Sequence, residues 1–478
     1  VVPAIVYVAS ASHEPASWDT AELQGVPYIL GIAHPTGFPF YVLLGYAWSH
    51  LLPLGSVAFR MNAMSAVAAA GAVALAYALA VELGAPRPVA LLASLWLAFT
   101  HDIWQHAARA ETQDLALLLS GAAVYAFVRW LRGGDGRWFL GAFAAYGLSL
   151  ATHPNAMWVL PGFVAGALVA KRRPHGKQLA AAALAMLAGV LFYTYLPLRS
   201  AYVVAHGADP AHVLAGAPGG LFWNYDDPST PAGLRLELTG AEFGAPAFLP
   251  AALDPAHYQA AFWALLREIA EQYGAFALAL AVVGLVALWR RDWRVALVLL
   301  ASCTFAVLFA TIYTMEADVA RYELLALWMV APLLALAAPS STDVAGAVGR
   351  FAYAIALATG AAIAFSAGTG NFVHAKGEGG RWIIDAVKPL TAPGSVVIAE
   401  WLDATSLAYG AYVDDSLPGR IVVGSQLSTM LETYREWARR RPVYLLADPT
   451  GFTLAPSQAR PAGSIDAAHA LYRILPQR

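Results

Sequence analysis

Ser17-Trp18-Asp19-Thr20-Ala21-Glu22-Leu23-Gln24, continued by Gly31-Ile32-Ala33-His34-Pro35-Thr36-Gly37-Phe38-Pro39, sets two carboxylates and a histidine in one short polar connection. An apolar segment precedes it, in a chain that is otherwise mostly membrane-like. Asp19 and Glu22 are three residues apart, so a helical backbone puts them on one face. Trp18 suits a membrane–water interface. The plain reading is a helix N-terminus with both acids near its positive dipole end. The rest of the chain decides whether more is asked of it.

Of 478 residues, 59% are hydrophobic and only 13% charged, and the mean hydropathy is +0.56. Soluble domains average nearer 45–50% apolar and 25% charged. Fifteen Trp and 21 Tyr supply residues that populate interfacial belts. The composition predicts an all-α polytopic membrane protein. A net charge of −2, with no basic run, gives no sign of nucleic-acid binding. The single cysteine, Cys303, excludes an intramolecular disulfide framework and a cysteine-based zinc site. It reads as a small core residue.

Val1–Ala9 is too short to span and reads as the outer end of a span whose start precedes Val1. A cleaved signal peptide is the other reading of that end. Residues 41–52 form an apolar piece that lies at the interface or re-enters. Full or partial spans are expected at 59–83, 89–100, from Glu111 to the Arg129–Arg132 exit, 138–151, 157–170, 179–198, 258–289, 295–313, 322–338 and 351–368. With the first span included the count is about eleven. A polar, Pro/Gly/Asp-rich segment covers 200–257. From residue 371, short β-branched runs at 396–398, 421–423 and 443–446 alternate with helical stretches such as 427–441. That alternation predicts a small α/β domain. The expected domains are therefore 1–370, with outward loops 12–58 and 200–257, and 371–478.

The short Lys/Arg-rich connections fall on one side and should be cytoplasmic: Arg87, Arg129 to Arg137, Lys171 to Lys177, Arg290 to Arg294, and Arg350. The opposite side collects Asp19, Glu22, His34, His101, His106, Glu111, His153, the 200–257 segment and Glu316-Ala317-Asp318. Ionisable residues at membrane depth default to functional hypotheses, with interhelical pairing as the common alternative. Asp19 is the candidate base for a hydroxyl acceptor, with Glu22 as its support. His34 beside a rigid Pro turn, and Arg60, Arg199 and Arg321 near outward span ends, are candidate phosphate ligands. Snorkelling to headgroups is the alternative for each arginine. Glu111, with Arg109 close by, reads equally as a buried ion pair. His101, His106 and His153 with Glu111 or Asp102 lack tight metal-ligand spacing. Glu316 and Asp318 read first as solvated loop acids. Gly176-Lys177 is followed by Gln178, so there is no phosphate-binding P-loop. Neither a G-x-S-x-G elbow nor an H-E-x-x-H pair occurs, and no inverted repeat of broken helices suggests a transporter.

The residues so assembled resemble a known family. Trp18-Asp19-Thr20-Ala21-Glu22-Leu23 with Leu30-Gly31-Ile32-Ala33-His34-Pro35-Thr36-Gly37-Phe38-Pro39-Phe40-Tyr41 is similar to the signature of a group of GT-C-like membrane proteins. Long catalogued as a domain of unknown function, the group includes an animal protein O-mannosyltransferase of the endoplasmic reticulum. Phe59-Arg60-Met61-Asn62, Ala110-Glu111-Thr112, Gly147-Leu148-Ser149-Leu150-Ala151-Thr152-His153, Tyr195-Leu196-Pro197-Leu198-Arg199 and Trp223-Asn224-Tyr225-Asp226-Asp227-Pro228 extend the likeness. Thr112 departs from the family's usual Ala-Glu-Val-Tyr, and Asp226-Asp227-Pro228 from its usual Gly-Asp-Pro.

The resemblance implies a GT-C fold with a catalytic acid in the first outward loop, where Asp19 falls, and a polyprenyl- or dolichyl-phosphate sugar donor. The expected function is transfer of a hexose such as mannose to a hydroxyl acceptor, protein Ser/Thr first, with inversion on the extracytoplasmic face of a bacterial plasma membrane. Asp19 and Glu22 are the expected catalytic pair; His34, Arg60, Glu111, His153, Arg199 and Arg321 are the expected substrate ligands. No cofactor or divalent metal is expected, because a phosphate leaving group can be stabilised by Arg and His donors. The expected partners are the lipid-linked sugar, the acceptor and the bilayer. The rival readings are a lipid or cell-wall glycan acceptor with the same chemistry, and a lipid-linked sugar flippase.

Overall fold

The computed structural model describes residues 1–217, 220–243, 251–313, 319–339, 344–372, 379–450 and 454–477. Glu316-Ala317-Asp318 lies outside the described residues. Packing divides the chain into two compact units. One gathers Val1–Ala11, Ser65–Tyr193 and Ala241–His374; the other gathers Ser12–Met64, Thr194–Gly240 and Ala375–Arg478. The outward loops expected at 12–58 and 200–257 thus fall largely in the same unit as the C-terminal residues.

The first unit is helical. Five helices among the described residues are long and apolar enough to cross a membrane: Val57–Glu82, Thr112–Gly133, Gly176–His206, Ala275–Ile312 and Val344–Gly368. The first of these and Gly176–His206 run through the division between the units. Arg87–Ala98, Pro154–Val169 and Leu324–Leu336 are shorter apolar helices. Five described helices thus have the length and apolarity of a full crossing, and one of them, Ala275–Ile312, covers parts of two expected spans. The 258–289 span is corrected: a helix over Pro255–Tyr273 stops at Gly274 (φ 84°, ψ 155°), and a new one begins at Ala275. That second helix contains a break of its own at Asp292 (φ −153°, ψ 80°). The break at Gly274 follows the polar stretch Arg267-Glu268-Ile269-Ala270-Glu271-Gln272, and this glycine supplies the non-helical backbone that a Cβ would disfavour.

Small residues let these helices meet backbone to backbone, as in other membrane bundles. A Cβ on Gly284 would lie 1.8 Å from the Leu333 carbonyl oxygen, and one on Gly147 2.3 Å from that of Met186.

The second unit is built around a five-stranded sheet of order β2-β1-β3-β5-β4. Its strands are β1 Val396–Ala399, β2 Ile421–Gly424, β3 Val443–Ala447, β4 Ala459–Ser464 and β5 Ala470–Ile474. The first three are the β-branched runs of the sequence and pair in parallel, Val396 opposite Ile421 and Val443. Strands β5 and β4 add on antiparallel; β4, with Pro461, takes the edge, where a missing N–H is tolerated. Val396, Ile398, Val423, Val443 and Leu445 form the core with Tyr434 and Trp437 of the Leu427–Trp437 helix. Ala211 and Leu214 join that core, and the Trp437 indole N–H donates to the Ala215 carbonyl at 2.9 Å.

Segment 12–64 is fastened to the C-terminal residues at several points of this unit. The Tyr409 hydroxyl accepts from the Ala58 N–H at 2.9 Å, and Ser406 donates to the Ala16 carbonyl at 3.0 Å. Arg381 bridges Glu14 (2.8 Å) and Asp414 (2.5 Å). The C-terminal α/β region is therefore not an appendage without contacts to the opening motif.

Candidate active site

The opening motif folds as a helix, Trp18–Ile29, reached through a strained residue: Trp18 sits at φ 60°, costly for a side chain with a Cβ. Asp19 occupies the first turn, where the unsatisfied N–H groups of a helix favour an anion. It is 8% exposed, and its Oδ1 accepts the Trp401 indole N–H at 2.8 Å. Glu22, one turn on, is fully buried. Its Oε1 accepts the backbone N–H of His34 at 2.9 Å, and its Oε2 pairs with His34 Nδ1. Burial pushes the Glu22 carboxyl above the ordinary range, against the pull of His34; the nearby Asp19 adds to the rise. The His34 ring meets Trp401 in a T-shaped contact, 5.9 Å between centroids, and Tyr225 meets the same residue in another at 5.9 Å.

Close packing fixes the His34–Pro39 turn. Gly37 lies at φ 73°, and a Cβ there would come within 2.6 Å of Leu196 and 2.8 Å of the Glu237 carboxylate. Glu237 is itself fully buried. Gly31 is as constrained, since a Cβ would lie 1.7 Å from the Phe222 carbonyl oxygen. Gln24 donates to Asn62 at 3.0 Å, and Asn62 donates to the Ser12 carbonyl at 3.0 Å. These contacts account for Asn62 in the motif that opens the next helix. In the 200–257 motif, Ser200, Ser229 and Asn224 donate to Asp227 Oδ1 at 2.8, 2.5 and 3.3 Å. Partial burial opposes them, but together they hold that carboxyl below its ordinary range.

Two of the expected phosphate ligands hold backbone. Arg199 donates from Nε to the Leu30 carbonyl at 2.5 Å and from Nη2 to that of Ile29 at 3.2 Å, at the end of the Trp18–Ile29 helix. Arg60 donates to the carbonyl of Ser49 (2.8 Å), in the last turn of the Pro39–Leu51 helix, and to those of Gly55 (3.1 Å) and Leu54 (3.4 Å) beyond it. Cations are favoured at both places, where helix carbonyls lack partners.

Glu111, His153 and Arg321 belong to the other unit. Glu111 is 2% exposed, pairs with Arg109 Nε at 3.0 Å and stands at the residue before the Thr112–Gly133 helix, with no capping bond from its side chain. Its backbone N–H donates to Ser65 Oγ at 3.0 Å. His153 Nδ1 accepts from the Asn155 N–H at 3.1 Å. His153 and Arg321 line one small cavity with Gln113 and Asn155. Asp19, Glu22 and His34 therefore form one group, and His153 and Arg321 another. Among the described residues, no three His, Cys, Asp or Glu side chains come together as a metal-holding group. Trp401, Tyr225 and Glu237 were not expected at the site. Only Tyr225 had a signal, its place in the Trp223–Asp227 motif.

Residues 19–176 match the family model of the Protein O-mannosyl-transferase TMEM260 N-terminal domain. The mouse protein O-mannosyl-transferase TMEM260 is 29% identical over 205 residues, covering 41% of this chain and 29% of the mouse protein. A Dictyostelium discoideum relative of the same name is 35% identical over 65 residues, 13% of this chain and 8% of that protein. The match thus spans less than a third of these curated relatives. In fold, the chain is similar to ArnT from Cupriavidus metallidurans bound to undecaprenyl phosphate: TM-score 0.61, 12% identity, covering 99% of this chain and 96% of that one. The apo form of ArnT gives 0.57 at 13% identity, with the same coverage. The chain is thus an integral membrane protein that shares the fold of ArnT, and its residues 19–176, which hold the opening motif, match the TMEM260 N-terminal domain.

Proposed function

We propose that the protein is a membrane glycosyltransferase that moves a hexose from a polyprenyl-phosphate donor to a hydroxyl acceptor, protein Ser/Thr first. The reaction takes place on the extracytoplasmic face. The observation that carries the reading is the first turn of the Trp18–Ile29 helix, within the family-matched segment, where Asp19 stands beside the buried Glu22–His34 pair. Glu22 has both oxygens on His34, so Asp19 is the carboxylate assigned to the acceptor. It takes the hydroxyl proton as that oxygen bonds to the anomeric carbon. The bond from carbon to phosphate oxygen breaks on the opposite face, which inverts the centre and releases the lipid phosphate.

One proton lies between Glu22 Oε2 and His34 Nδ1. Where the ring is charged, or neutral with that proton on Glu22, Nε2 carries a hydrogen, and this N–H is the donor we assign to the phosphate. Arg199 and Arg60 use part of their five-donor forks on backbone carbonyls; we assign the remainder to the lipid phosphate. The undecaprenyl phosphate bound to ArnT supports a polyprenyl-phosphate donor by fold, and the O-mannosyl-transferase relatives support mannose and a hydroxyl acceptor. No step in this scheme calls on a metal.

The test is turnover of polyprenyl-phosphate-mannose by purified protein in nanodiscs, with peptide and glycan acceptors in parallel. Wild type should release polyprenyl phosphate and form a glycosidic bond. Asp19→Asn should lose a factor of about 10²–10⁴ in kcat. Equal turnover by both would remove Asp19 as the base, and lipid movement across the bilayer without a new glycosidic bond would favour a flippase.

A further inference from the structure

We infer that Trp401, 382 residues from Asp19 in sequence, is a positioning residue for the proposed base, so that the C-terminal α/β region completes the site. This rests on the reading of Asp19 given above. The Trp401 indole N–H donates to Asp19 Oδ1 at 2.8 Å, at normal hydrogen-bond length. The same ring meets His34 in a T-shaped contact, and His34 is the partner of Glu22. One side chain therefore touches both halves of the Asp19/Glu22–His34 group. Indole offers a single donor and no acceptor, so it orients a carboxylate without competing for the acceptor's proton.

The helix that carries it, Trp401–Tyr412, is anchored rather than loosely apposed. Ser406 holds the Ala16 carbonyl and Tyr409 holds the Ala58 N–H, on either side of the Trp18–Ile29 helix in sequence. Gly380, ahead of the Arg381–Val387 helix and packed on Ser406, adds a contact of its own, its N–H on the Pro15 carbonyl at 2.5 Å. A Cβ at Gly380 would lie 2.3 Å from both the Ala16 carbonyl oxygen and Ser406 Oγ. Such backing locks a rotamer, which a base needs if it is to meet an acceptor hydroxyl within hydrogen-bond reach.

The variant is Trp401→Phe, which keeps an aromatic ring against His34 and Tyr225 and removes only the donor. The positioning role predicts that kcat falls about tenfold to hundredfold. The KM for polyprenyl-phosphate-mannose should stay within about twofold, and the thermal midpoint within about 2 °C of wild type. An unchanged kcat overturns the inference, as does a loss in which kcat, KM and thermal midpoint all move together. A second readout does not depend on turnover. In protein labelled with 15N-tryptophan, the Trp401 indole N–H resonance is identified by its loss in Trp401→Phe. It should move upfield in Asp19→Asn, where a charged acceptor becomes a neutral one. A resonance indifferent to Asp19→Asn overturns the inference. Absence of transfer by wild type counts against the functional reading instead, and the indole resonance then decides this one.

Discussion

Both carboxylate oxygens of Glu22 are taken by His34, one by its backbone N–H and one by its ring Nδ1. The pair therefore sets the path of the turn as well as the orientation of the imidazole. A residue that only supplied charge would need neither the main-chain contact nor complete burial.

Glu22→Gln should keep the shape and remove the charge. His34 then loses the partner that places its hydrogens, and kcat/KM for the lipid-linked donor should drop about 10- to 100-fold. The pH response has a definite sign. Burial raises the folded-state value of Glu22 above that of an unfolded carboxyl, so the folded state holds the proton more tightly. Its stabilising contribution is complete below the ordinary carboxylate range and is lost as pH rises through the raised value. Thermal midpoints of wild type and Glu22→Gln across that window should show wild type losing ground to the variant as pH rises. A constant difference would mean that Glu22 does not titrate there.

Arg199 should prove to be partly a structural residue. Two of its donors close the C-terminal end of the helix that carries Asp19. Arg199→Lys keeps the charge but cannot reach both carbonyls, and we expect a cost of about 1–3 kcal/mol. Chemical denaturation of the protein in detergent, set beside donor KM, separates the two roles. A rise in KM with unchanged stability would assign the guanidinium to the donor phosphate alone.

Arg60 and Arg199 illustrate what was legible in the chain. An arginine at the end of an apolar span has the same sequence signature whether it snorkels, holds a phosphate or caps a helix. Only the position of carbonyls from another segment distinguishes these roles. The Asp19/Glu22/His34 group was legible because its members lie within sixteen residues of one another, on one helix and the turn that follows it, although Leu196, Arg199 and Glu237 from later in the chain hold that turn. Strands β1, β2 and β3 were legible as β-branched runs, whereas β4 and β5 (Ala-Arg-Pro-Ala-Gly-Ser and Ala-Leu-Tyr-Arg-Ile) carry little strand pattern. They are held by neighbours that periodicity does not record. Trp401 was illegible for the same reason. Its role depends on the packing of two helices separated by most of the chain.

Arg381 holds Glu14 ahead of the Asp19 helix and Asp414 after the Trp401 helix, with its side chain 31% exposed. At that exposure each pair contributes no more than about 1 kcal/mol. Arg381→Ala should lower the thermal midpoint modestly at low salt, and the difference should shrink at about 1 M salt, where the screening length is near 3 Å. A deficit unchanged by salt would show that Arg381 acts through packing of its stem rather than through charge.

Gly37 gives the sharpest steric test. Its φ of 73° already disfavours any side chain, and a methyl group would be driven toward Leu196 Cδ2 at 2.6 Å and Glu237 Oε1 at 2.8 Å. Leu196 could turn away, but Glu237 is fully buried and has little room to move. Gly37→Ala should therefore cost about 1–2 kcal/mol for the backbone conformation alone, with the contact to Glu237 added. The turn would yield first, because His34 lies three residues earlier and accepts the Gly37 N–H on its carbonyl at 2.8 Å. Its ring would then lose register with Glu22. The expected result is a protein that still inserts and folds but has a lower thermal midpoint and at least about a tenfold loss in kcat/KM. Wild-type stability and turnover in Gly37→Ala would show that the turn has slack, and that its close packing is not what aims His34.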